Sequence, residues 1–293
     1  TGEPRPRQTI DGPLAAGIPG LPAAFVHVSE TYGRLPLADA LAPTVALAEN
    51  GWIFGEKNLA MMGWREAQLA ADAGAAPLLL VDGKIPAVGT RMRNPDYAEV
   101  LKRLGREGFD GFYRGEIAQR LVDGVRAAGG IWTMEDFAQY RVVEREPLVF
   151  THRGKTVVTA PPPSSGGIAL AQTLQILDGY DWAKRSELDR LHLRIEAMRR
   201  AYRDRAVFLG DPDFVDVPVA LLTNPAYAAG LRAGIHPTRA TPSDLLPGVT
   251  AIERPDTTHF SIIDAEGNIA SVTQTVNLPY GNAMVIPGTG FLL

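Results

Sequence analysis

The chain has 293 residues, is 45% hydrophobic and 21% charged, and carries a formal net charge of -4. This is an ordinary globular composition with enough apolar residues for a sizeable core, arranged as one large domain or two ordinary ones. The negative charge argues against a nucleic-acid binder, which usually presents a clustered basic surface. The absence of cysteine excludes disulfides, thiolate catalysis and Cys-ligated metals, and leaves the redox compartment open.

The chain opens on "TGEPRPRQTIDGP", polar and proline-rich rather than signal-like, and without an initial methionine, as expected of a processed or truncated chain. Residues 1–22 read as irregular. Helical patterns follow at 37–50, interrupted at Pro43, and at 56–72. Leu78–Val81 reads as a short strand turned by Asp82-Gly83. Helices are expected at 95–104 and 115–128, the second ended by Gly129-Gly130, and Thr133 with Asp136 reads as a capping box. β-Branched runs predict strands at 147–151 and 155–160. After Pro161-Pro162-Pro163, "SSGGIALAQTLQILDGYD" predicts a helix apolar nearly all round, and so buried.

The clearest helix is 187–207. Leu188, Leu191, Ile195, Met198 and Tyr202 recur at helical spacing, and Ser186 with Asp189 caps it. Its basic cluster, Arg199-Arg200 with Arg203 and Arg205, alternates with acids and reads as a solvated face. Residues 211–256 are loop-rich, with one short helix near 225–233. No run reaches transmembrane length, so no membrane segment is expected. At about Asp256 the composition turns to β, which divides 1–256 from 257–293.

That last part is a hairpin. Ile262-Ile263 and Ile269–Val276 flank "DAEGN", and a three-residue loop with Gly267 in the left-handed conformation puts Asp264 opposite Asn268. The same register puts Thr257 opposite Thr275. Alternation then gathers Thr257, His259, Ser261, Ser271, Thr273, Thr275 and Asn277 on one polar face. Phe260, Ile262, Ala270, Val272 and Val276 fall on the other, a core face, with Thr258 and Gln274 as polar exceptions. A one-residue slip would swap the faces. A threonine ladder also suits a solvated sheet surface, and pattern alone leaves that reading open.

A threonine hydroxyl needs a base, and a free N-terminal amine with an ordinary pKa of roughly 7.7–8.0 is suited to the task. Thr257 acquires such an amine only if the Asp256–Thr257 bond breaks, which its own hydroxyl can do by attacking the Asp256 carbonyl. Pro255 restricts the approach of the chain to that bond, and Thr275 is placed to orient the hydroxyl or the amine.

"TTHFSIIDAEGNIASVTQTVN", followed by "PYGNAMVIPGTGFLL", strongly resembles the start of the small subunit of γ-glutamyltranspeptidases. "DGPLAAGIPG" at 11–20, "EDFAQY" at 135–140, "PPPSSGGI" at 161–168 and "YRDRAVFLGDPDF" at 202–214 resemble large-subunit motifs of the same family, in the same order over essentially the whole chain. The resemblance implies an α+β, four-layer αββα N-terminal-nucleophile hydrolase fold, incomplete here and with a large helical portion. It implies autocleavage between Asp256 and Thr257 into large and small subunits that stay together as a heterodimer. The implied reaction transfers a γ-glutamyl group from glutathione or a related compound to water or an amino acid. Thr257 is then the nucleophile, Thr275 its support and Asn277 a ligand of the glutamyl α-amino group. No cofactor and no metal are expected, and a periplasmic or secreted location is implied.

The family's α-carboxylate arginine would lie upstream of Thr1. Its acidic α-amino ligand, paired serines and oxyanion-hole glycines would lie past Leu293. The chain therefore reads as an internal portion of a longer protein, inactive by itself. Two alternatives stay open: a same-fold acylase of glutaryl or cephalosporin type, and a non-catalytic or unprocessed fragment. Gly166-Gly167 is a candidate oxyanion hole in the wrong family position, with packing as the other reading. His259 reads as a general base or a structural hydrogen-bonding group. Asp211 and Asp213 read as loop caps or a cation site.

Overall fold

The computed structural model describes residues 8–246 and 257–293. The chain divides into two compact units, one taking in Thr1–Val142 and Arg254–Leu293, the other Val143–Glu253.

The first unit begins with α1, Leu21–Thr31, and α2, Leu37–Asn50. α1 is not among the helices the pattern predicts. Pro22 is compatible with its first turn, and burial of Ala23 and Val26 decides it. α2 passes through Pro43 without breaking, supported by packing along α6, residues Pro95–Tyr113. Between them lie β1 (Trp52–Ile53), α3 (Glu56–Gly63), α4 (Glu66–Ala71), α5 (Ala75–Leu79) and β2 (Arg91–Met92). The single helix expected over 56–72 is thus two. The break turns Arg65 inward, where it pairs with Asp11 at 2.6 Å and donates to the Gly281 carbonyl at 3.0 Å. Of the strand expected at Leu78–Val81, Leu78 and Leu79 instead end α5 and Leu80 is its extended cap. Asp72 Oδ1 accepts from the amides of Gly74 and Ala75 and fixes a helical start, so only Val81 pairs, with Lys84, across the Asp82-Gly83 turn.

α6 runs beyond the predicted 104, through a non-helical Gly108 at φ 58°. α7 (Glu116–Ala127) and α8 (Met134–Ala138) follow, the latter opened by the expected Thr133–Asp136 capping box. Phe112, Tyr113, Trp132 and Phe137 are buried together, and the Tyr113 hydroxyl donates to the Pro19 carbonyl.

In the second unit β3 (Leu148–His152) and β4 (Lys155–Thr159) form an antiparallel hairpin against which α9 (Gly166–Asp178) packs. A Cβ at Gly167 would lie 2.1 Å from the Ala160 carbonyl oxygen, so only glycine permits this approach. α10 (Glu187–Phe208), α11 (Val219–Leu222) and α12 (Pro225–Ala233) complete the unit.

α10 corrects the sequence reading. Its buried side is Leu193, Glu196, Ala197, Arg200, Ala201 and Asp204, while Leu188, Leu191, Ile195, Met198 and Tyr202 are exposed. Arg200 is not on a solvated face. Its guanidinium meets Glu196 at 2.8 Å, the carbonyls of Leu231 and Gly234, and the Thr241 hydroxyl. A buried charge is tolerated because every side of it is paired.

The remaining strands, β5 (Thr258–Ile263) and β6 (Ile269–Gln274), belong to the first unit. Three separate two-stranded sheets among many helices make an α+β protein with a large helical portion. Among the described residues the stacked pair of sheets of a complete αββα fold is not assembled.

Candidate functional site

β5 and β6 pair antiparallel in the expected register, from Thr258↔Gln274 through His259↔Thr273 and Phe260↔Val272 to Ile263↔Ile269. The turn is as derived. Gly267 adopts φ 87°, its amide donates to the Asp264 carbonyl, and the Asp264 amide donates to the Asn268 carbonyl. The Asp264 side chain adds bonds from Asn268, which hold its carboxyl below the usual range together with the backbone donors of the turn.

The faces separate as alternation requires, but no core face forms. Phe260, Ile262 and Val276 are exposed, and Ile263 and Ile269 join the polar face at 70% and 71% exposure. Pairing sets which side a residue takes, whereas burial needs a second layer, and among the described residues none covers this hairpin.

Thr257 immediately precedes β5 and is exposed. The pairing stops at Thr258↔Gln274, one step short of the expected Thr257–Thr275 pair. Asp256 lies outside the described residues. Thr275 Oγ1 accepts from the Asn277 amide at 2.8 Å. Asn277 itself holds φ 72°, a left-handed conformation in which asparagine is among the tolerated residues. The structure thus ties Thr275 to Asn277.

His259 sits among hydroxyls. Its Nδ1 lies 2.8 Å from Thr273 Oγ1, and its Nε2 lies 3.3 and 3.5 Å from the hydroxyls of Ser261 and Ser271. The ring is engaged along the hairpin, which favours the structural reading of this histidine. Gly166-Gly167 lies within α9, and the contact at Gly167 is packing. Asp211 caps its loop through the Asp213 amide, and Asp213 pairs with Arg145 at 2.7 Å. Among the described residues no three His, Asp or Glu side chains converge as a metal site requires.

After the hairpin the chain threads into the body of the first unit. Ala283, Met284, Val285 and Ile286 are buried. Asp72 Oδ1 accepts from the Val285 amide, Asn94 donates to the Gly290 carbonyl, and Gly12 and Asn282 exchange hydrogen bonds. Arg65, Asp72, Asn94 and Asn282 were not singled out by sequence reasoning. The "DGPLAAGIPG" and "PYGNAMVIPGTG" stretches were visible as motifs, but nothing local reveals that Asp11 and Gly281 share Arg65. In the second unit two other motifs converge: Arg205 Nε donates to Ser165 Oγ at 2.8 Å, and the buried Asp204 accepts from Gln172 and Tyr227.

The sequence profile described as gamma-glutamyltranspeptidase matches residues 2–293. A glutathione hydrolase proenzyme from Pseudomonas sp. (strain A14) is 38% identical over 96% of this chain and 50% of its own length. An acylase ACY 1 proenzyme from Pseudomonas sp. (strain SE83) is 39% identical over 98% of this chain and 52% of its own length. The crystal structure of Helicobacter pylori gamma-glutamyltranspeptidase superimposes with a TM-score of 0.80 at 32% identity, covering 85% of this chain and 72% of that one. The fold is therefore that of an N-terminal-nucleophile hydrolase. The chain belongs to the γ-glutamyltranspeptidase family, and it spans about half the length of these two curated relatives.

Proposed function

We propose that the whole protein is a γ-glutamyl transferase or hydrolase that cleaves the γ-glutamyl amide of glutathione or a related compound. The hairpin register, which carries Thr257 towards a Thr275 already bonded to Asn277, is the observation on which this rests. In the first step Thr257 Oγ attacks the Asp256 carbonyl, the peptide nitrogen leaves as the amine of Thr257, and water hydrolyses the resulting ester. The freed amine then takes the hydroxyl proton as Oγ attacks the γ-glutamyl carbonyl. The amide's amine leaves with a proton, and water or an amino acid releases the acyl group. In this reading the Thr275 hydroxyl, a group able both to donate and to accept, orients Thr257. Asn277 offers a side-chain oxygen to a substrate ammonium group. This division makes 1–256 the large-subunit-like and 257–293 the start of the small-subunit-like part.

Mass spectrometry of the full-length protein tests the reading. Wild type gives two chains that part between Asp256 and Thr257, and Thr257→Ala stays whole and inactive. An intact wild type with activity would sink the mechanism. An acylase of glutaryl type is the second reading, favoured by the 39% identity to the acylase ACY 1 proenzyme. Hydrolysis of γ-glutamyl anilide, with little of glutaryl anilide, supports the first reading, and the reverse supports the second.

A further inference from the structure

Between the β3–β4 turn, α9 and the start of α10 lies a concavity of about 520 Å³, within the size range of small-molecule sites. None of the residues assigned to the proposed reaction lines it. Arg153, Arg190 and Arg194 do. Arg190 is fixed by two bonds, from Nε and Nη2 to the Trp182 carbonyl at 3.1 and 2.7 Å. Arg194, one turn further on, donates from Nε to the Arg190 carbonyl at 3.3 Å. Arg153 lies over the Trp182 ring, 5.7 Å from its centroid.

These contacts use one side of each guanidinium. They leave Nη1 of Arg190 and both Nη groups of Arg194 without a described hydrogen-bond acceptor, and neither arginine has an ion-pair partner among the described residues. Two arginines one turn apart on a helix repel each other, an arrangement relieved by an anion between them. The acids nearby do not supply it. Asp178 lies 2.8 Å from His152 Nδ1 and 3.9 Å from Arg153 Nε and is not among the lining residues. Glu187 lines the concavity with no ion-pair partner among the described residues. Along the lining itself, three guanidinium groups face one carboxylate, that of Glu187. The remaining wall is apolar, from Leu174, Leu177 and the Trp182 indole.

We propose that this concavity binds a small monoanionic carboxylate with an apolar body. The carboxylate would take the forked donors of Arg190 and Arg194, whose planar geometry suits it. The body would lie against Trp182 and the two leucines. The positive lining favours an anion, and the apolar wall selects against a bare inorganic one.

Benzoate is the probe, titrated into the purified protein while the indole resonance of Trp182 is followed by NMR. Saturable movement of that resonance is expected. Arg194→Gln, an exposed position, weakens binding about tenfold, as loss of a charged hydrogen-bond partner should. Glu187→Gln removes a like charge and tightens it. Absence of saturation, indifference to Arg194→Gln, weakening by Glu187→Gln, or equal binding of inorganic phosphate would each overturn the proposal. Circular dichroism of the variants checks their fold. Because the readout is binding and not γ-glutamyl turnover, it stands or falls independently of the proposed reaction.

Discussion

Glu196 shows how a charge is kept inside this protein. Burial by itself would raise its carboxyl, but hydrogen bonds from Thr241, Arg200 and Arg199 outweigh that and bring it from 4.5 to about 2. A group whose folded pKa lies below its unfolded value stabilises the fold above the unfolded pKa and loses that contribution as pH falls through the folded one. The second unit should therefore weaken between about pH 4.5 and pH 2. Glu196→Gln should flatten that dependence and cost about 3 kcal/mol at neutral pH, because Arg200 is left buried with a neutral partner. Urea unfolding followed across that pH range checks both. An unchanged acid profile in the variant would place the titration elsewhere. Periodicity could not reveal this residue, since a glutamate four positions before an arginine reads equally well as an exposed pair.

At the scale of elements, the β5–β6 hairpin was legible down to its register. Alternation, the "DAEGN" turn and the left-handed Gly267 are local signals, and local hydrogen bonds satisfy them. Gly267 has open space where a Cβ would sit, so Gly267→Ala tests the backbone alone. It should destabilise the hairpin by about 1 kcal/mol through its positive φ, read as faster amide exchange in β5 and β6 than in α7. Equal exchange would mean that the turn is not what sets the register. Elements decided by distant partners were less legible. The break between α3 and α4 accompanies the inward turn of Arg65 towards Asp11 and Gly281, and α5 replaces a strand where Asp72 serves Gly74, Ala75 and Val285 at once.

On the scale of the molecule, the stretch after the hairpin is bound into the first unit by core residues as well as by hydrogen bonds. If the Asp256–Thr257 bond is cut as proposed, these contacts hold the new chain in place. Ile286 is buried in the main core cluster, and Ile286→Ala should cost about 2–5 kcal/mol. In the cleaved protein it should release the chain that begins at Thr257 at a lower urea concentration than wild type, as measured by size exclusion. Co-elution unchanged up to global unfolding would assign the anchoring to other contacts. Activity of the proposed enzyme should rise with pH through the range of the Thr257 amine, roughly 7.7–8.0 if unperturbed. A kcat/KM profile that stays flat there would remove the amine as base.

The sequence by itself determined the family, the β3–β4 and β5–β6 hairpins, the capping of α8 and α10, and the β5–β6 register from Thr258↔Gln274 to Ile263↔Ile269. These depend on spacing within a few residues or on motif order along the chain. Only the tertiary structure decided which face of α10 is buried, that Arg200 and Asp204 are interior, that Gly167 serves packing, and that Arg65 and Asp72 hold the stretch after the hairpin. Each of these depends on what a residue meets across the fold. An apolar stripe says that a helix has two sides, and only the partners of Glu196 and Arg200 determine which side the protein can bury.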